Sequence, residues 1–175
     1  PDDVEYSMMG TIKKYRDTVF DIICLSQGGD YDCTTGESRH NEVVEVWGED
    51  LSKNVTLIFS EYKYLKEKVQ DGWVNYIETQ ILNSEHDCLF VPTFEDSHFE
   101  HKFVNELAYP LARMCDLRII EYQTPSTLDS WTPNIFVDIT EQFEQKYEQL
   151  LKFQSQSTKW YFEKDLLKSF HSNYQ

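Results

Sequence analysis

Cys88-Leu89-Phe90-Val91-Pro92-Thr93-Phe94-Glu95-Asp96-Ser97-His98-Phe99-Glu100-His101 decides how the fold is read. Its first four residues are a short apolar run that suits a buried strand, and Pro92 to Asp96 read as loop. Residues 98–113 then read as a helix, with Phe103, Val104, Leu107 and Leu111 on the core face. The strand thus hands over to a helix whose first turn carries two histidines three apart, and that spacing faces both rings to one side.

Working outward, the same alternation recurs. Residues 4–16 carry Met8, Met9, Ile12 and Tyr15 at helical spacing, with Asp2 or Asp3 as N-cap. Residues 19–25 are a β-branched apolar run ending at Gly28-Gly29, which suits either a close ligand approach or a turn needing positive φ. Residues 30–38 read as loop, 39–47 as a helix with Val43, Val46 and Trp47 inward, and 54–59 as a strand. Residues 60–71 fit no single pattern. A helix over 72–82, strands over 118–122 and 134–139, and helices over 141–153 and 163–170 complete the reading. Short strands alternating with helices predict an α/β fold, with a mostly parallel sheet sandwiched by helices and ligands beyond the carboxyl ends of the strands. Both histidines and Gly28-Gly29 then fall on that edge. For Asp2-Asp3 to do so, the pattern requires a first strand upstream of Pro1.

At 175 residues and 40% hydrophobic content, one domain spanning 1–175 is expected. The net charge of -15 repels phosphate backbones and anionic lipid, so no nucleic-acid partner is expected. Cys24, Cys33, Cys88 and Cys115 show no close pairing and read as reduced core residues. No apolar run reaches the roughly 20 residues of a membrane span, and no signal-type segment stands out, so the expected location is cytoplasmic. A homo-oligomer is compatible with this composition.

Asp2 and Asp3 with His98 and His101 offer oxygen and nitrogen ligands of the kind a catalytic zinc takes. Each half also has a plain structural use, the acids at a helix N-terminus and the histidines as caps. Together with neighbouring motifs they carry a resemblance. Pro1-Asp2-Asp3-Val4-Glu5 with Gly10-Thr11-Ile12, then Leu25 to Gly29, Arg39 with Glu42, Asp96 to His101, the stretch 122–126 and the stretch 133–138 resemble the LmbE-like, or PIG-L, zinc-dependent de-N-acetylases along almost the whole chain.

The resemblance implies a Rossmann-like fold, a Zn2+ cofactor and hydrolysis of the acetamide of an N-acetylglucosamine-type amino sugar or its conjugate, a small-molecule partner. Residue by residue it implies Asp3 and His101 as zinc ligands, Asp2 as general base, His98 beside the reacting carbonyl and Arg39 at the substrate. Asp96 and Glu100 are candidates for orienting the histidines, and Arg39 also suits a salt bridge to Glu42. Glu100 stands where the family more often has aspartate, and Met9 where glycine is frequent. The family's leading histidine has no counterpart within 1–175, so the expectation is a histidine ending the upstream strand. Without it, the alternative is a carbohydrate-binding or interaction module with an incomplete metal site.

Overall fold

Two βαβ segments carry the sheets of the computed structural model, which describes residues 1–28, 35–81 and 85–172. In chain order the elements are α1 (Asp3–Lys14), β1 (Phe20–Cys24), α2 (Gly36–Trp47), β2 (Val55–Phe59), α3 (Gln70–Ile81), β3 (Cys88–Pro92), α4 (Phe99–Cys115), β4 (Arg118–Tyr122), α5 (Phe143–Leu150) and α6 (Lys164–Ser172). The chain forms two compact units, Pro1–Tyr64 with Val137–Gln175, and Leu65–Phe136. Among the described residues no helix is long and apolar enough to cross a membrane.

In the first unit β1 runs parallel to β2, in register from Phe20 opposite Val55 to Cys24 opposite Phe59. A parallel pair needs a crossover, and α2 supplies it. Helix α2 starts at Gly36, three residues earlier than the apolar spacing predicts. The cause is a capping box: Thr35 Oγ1 accepts from the Ser38 N–H at 3.2 Å, and Ser38 Oγ accepts from the Thr35 N–H at 3.0 Å. Tyr6 and Met9 of α1, Val43, Val46 and Trp47 of α2, Leu150 of α5, Phe153 just beyond it and Leu167 of α6 are all buried. Trp47 Nε1 donates to Glu5 Oε1 at 2.7 Å within this core. Burial pushes the Glu5 carboxyl up to about 7, against the opposing pull of the Trp47 bond.

In the second unit β3 runs parallel to β4, from Cys88 opposite Arg118 to Pro92 opposite Tyr122, with α4 as the crossover. Helix α4 packs on both strands and on α3. Asn105 of α4 is buried; its Nδ2 donates to the Pro92 carbonyl and to Glu121 Oε1, both at 2.8 Å, which ties the helix to the ends of the strands. Of the predicted core face, Leu107 and Leu111 are buried with Ala108, while Phe103 and Val104 are only half-buried. Trp73 of α3 is buried and donates to the Leu65 carbonyl at 2.7 Å.

Two expectations, the strand over 134–139 and the cysteines as core residues, need correction. Residues 134–139 form no strand: Ile135 and Phe136 are about 60% exposed, and among the described residues no ladder includes the segment. The Asp138 carbonyl accepts from Lys14 Nζ instead, and the Asp138 carboxylate accepts from Thr140. The described strands form two parallel pairs, β1-β2 and β3-β4. Cys24, Cys88 and Cys115 are unbridged but half-buried, not core residues. Gly29, Cys33 and Leu82 lie outside the described residues.

Candidate active site

The histidines are positioned by the turn from β3 into α4. His98 is the N-cap of α4, and its Nδ1 accepts from the Glu100 backbone N–H at 3.3 Å. That bond leaves the ring proton on Nε2, so His98 offers a donor there. His98 is exposed, and its ring stacks on that of His101 with centroids 4.7 Å apart. His101 is buried, with Nδ1 3.0 Å from Asp96 Oδ2. A carboxylate accepts only, so Nδ1 carries a proton, and in the neutral ring the lone pair sits on Nε2. The two rings, three residues apart, are thus held as opposite tautomers.

Asp96 is the centre of this arrangement and is fully buried. Burial alone would raise its pKa; hydrogen bonds from Ser126, Thr124, the His98 N–H and His101 outweigh that and hold it below the usual carboxylate range. The Glu100 contact to His98 comes from its backbone N–H.

In the first unit, Asp2 occupies the N-cap position of α1 without a side-chain capping bond, and Asp3 opens the helix. Asp2 is largely buried, with Lys159 Nζ 3.5 Å from its Oδ2. Burial and then the charge of Asp3 push its pKa up, while Lys159 and Arg39 act the other way. Arg39 Nη1 donates to the Gly28 carbonyl at 3.1 Å, and Gly28 has φ +78°. A Cβ there would lie 2.6 Å from Arg39 Nη1 and 3.0 Å from Pro1 Cδ, so both the positive φ and the close side-chain approach call for glycine. The Glu42 carboxylate accepts from the Ser155 N–H at 2.8 Å and the Ser155 hydroxyl at 2.5 Å.

Asp2, Asp3 and Arg39 therefore share the first unit, and Asp96, His98, Glu100 and His101 share the second. Sequence reasoning missed Lys159 and Tyr161 beside Asp2, and Thr124 and Ser126 around Asp96. Tyr161 meets the Tyr6 ring edge-on at 5.4 Å, and burial followed by the charges of Asp2 and Asp3 pushes its phenol pKa up. No local spacing marks Lys159 or Tyr161; Thr124-Pro125-Ser126 is visible as a strand-ending turn, which could flag a site-edge loop. For zinc, the His101 tautomer suits a ligand, since its basic nitrogen is Nε2 and Nδ1–H is anchored on a carboxylate. Among the described residues no three His, Cys, Asp or Glu side chains cluster closely enough to hold a metal.

No protein-family model matches the chain, and no curated protein matches its sequence. Solved structures do. The conserved protein TT1542 from Thermus thermophilus is similar with a TM-score of 0.79 at 19% identity, over 99% of this chain and 85% of that one. The N,N′-diacetylchitobiose deacetylase from Pyrococcus horikoshii is similar with a TM-score of 0.69 at 21% identity, over 99% of this chain and 72% of that one. GalB, the 4-carboxy-2-hydroxymuconate hydratase from Pseudomonas putida, is similar with a TM-score of 0.69 at 12% identity, over 98% of this chain and 79% of that one. These likenesses establish the expected α/β fold. At such identities the fold supports more than one chemistry, and function has to be argued from the side chains.

Proposed function

We propose that this chain is a zinc-dependent deacetylase that removes the acetyl group from an N-acetylglucosamine-type amino sugar or its conjugate. The observation that carries the reading is the pair of opposite tautomers: His101 with its lone pair on Nε2, and exposed His98 with a proton there. A ligand and a hydrogen-bond donor on one helical turn are what amide hydrolysis asks of two histidines. The fold shared with a chitobiose deacetylase supports it.

In this reading water adds to the acetyl carbon and the C–N bond breaks, giving acetate and a free amine. Asp2 takes the proton from the attacking water and passes it to the leaving nitrogen. His98 donates its Nε2–H to the oxygen that gains negative charge. Asp3 and His101 would hold zinc, which when bound supplies an acidified water and a Lewis acid. Arg39 contacts the sugar, and Asp96 fixes the His101 ring, with Glu100 next to it on the helix. The unbridged cysteines suit a reducing, cytoplasmic setting.

A second reading, a carbohydrate-binding module with an incomplete metal site, is favoured by the lack of a three-ligand cluster among the described residues. Incubation with zinc and N-acetylglucosamine conjugates discriminates the two. Acetate released by wild type and lost in Asp2→Asn supports the hydrolase; no acetate from any conjugate, with retained sugar binding, supports the module.

A further inference from the structure

The loops after β3 and β4 are stapled together. Asp96 and Thr127 form an antiparallel bridge, the Ser97 N–H and hydroxyl both donate to the Ser126 carbonyl at 2.9 Å, and the Leu128 N–H donates to the Glu95 carbonyl at 2.8 Å. Thr124 and Asp96 are both buried at this junction. Each Asp96 oxygen accepts two donors. Oδ2 takes the Thr124 hydroxyl at 2.5 Å and His101 Nδ1 at 3.0 Å; Oδ1 takes the Ser126 hydroxyl at 2.6 Å and the His98 N–H at 2.7 Å.

We propose that Thr124 and Ser126 are positioning residues that clamp the Asp96 carboxylate and thereby keep His101 as the Nδ1–H tautomer, with its lone pair on Nε2. The carboxylate cannot turn without giving up two short bonds, so its lone pairs stay aimed at Nδ1. The hydroxyls add a second constraint. Ser126 Oγ lies 3.2 Å and Thr124 Oγ1 3.4 Å from His101 Nδ1, and both have committed their protons to Asp96. Three oxygens therefore turn lone pairs toward Nδ1, and only a protonated nitrogen fits there.

The test is 15N NMR of the full chain, histidine-labelled and metal-free, near neutral pH. Wild type should show His101 with Nε2 unprotonated. The double variant Thr124→Val with Ser126→Ala should relax toward the Nε2–H form, and the hydroxyl-preserving Thr124→Ser and Ser126→Thr should keep the wild-type signature. Should the double variant fail to fold, Ser126→Ala alone gives the same readout. An unchanged tautomer in the folded hydroxyl-lacking variant overturns the clamp. The clamp matters for catalysis only if the zinc reading holds, and a second arm separates them: zinc affinity should fall about 10- to 100-fold in the hydroxyl-lacking variant. Absence of zinc binding by wild type, with the tautomers as expected, overturns the zinc reading and supports the clamp.

Discussion

Lys146 offers a quantitative test of the first unit's core. It lies on α5, is fully buried, donates to the Tyr6 carbonyl and sits 2.7 Å from His171 Nε2 on α6. Among the described residues no carboxylate pairs with it. Burial lowers its pKa from 10.5 to about 7. Burial and then the charge of Lys146 also lower that of His171, which keeps the imidazole neutral across the window considered. The folded chain thus releases the Lys146 proton about 3.5 pH units before the unfolded chain does. Between pH 7 and 10.5 the unfolded state binds more protons, so stability rises with pH at up to about 1.4 kcal/mol per unit. From pH 7 to pH 9 this one group contributes about 2 kcal/mol, after allowing for partial titration near its folded pKa. Urea unfolding of wild type and Lys146→Met at several pH values measures the difference. Wild type should gain about 2 kcal/mol more than the variant over that interval. Parallel slopes for the two proteins would refute an amine buried in this way with a lowered pKa.

Further substitutions probe other parts of the account. Gly28→Ala forces an L side chain to φ +78° against Arg39 and should cost about 1–2 kcal/mol in urea unfolding; an unchanged midpoint would mean the turn is not held as described. Thr35→Ala removes the cap of α2 and should cost about 1 kcal/mol, with Thr35→Ser nearly neutral. His98→Ala should lower kcat for acetate release about a hundredfold or more while zinc content holds, and equal loss of zinc would make His98 a ligand instead.

The strands are legible because each is a β-branched or apolar run bounded by turn residues, and β1 to β4 fall within a residue or two of their predicted limits. The predicted strand at 134–139 has the same composition, but it joins no sheet among the described residues, and sheet pairing is a tertiary fact that composition does not carry. The start of α2 is hidden because Thr35 and Ser38 sit in a polar stretch, where a capping box looks like loop. At the candidate site, the histidines and the adjacent acids stand out by local spacing. Thr124 and Ser126 do not, since they reach Asp96 from 28 and 30 positions away, and only the parallel β3-β4 pairing brings those loops together. Lys159 approaches Asp2 from the other end of the chain, and no local pattern encodes that meeting.

The most direct test of the central claim is zinc add-back to metal-free protein, followed by acetate released from an N-acetylglucosamine conjugate. The account predicts that activity returns with about one equivalent of zinc in wild type and fails to return in His101→Ala. Acetate release that is indifferent to zinc, or restored equally in His101→Ala, would contradict it.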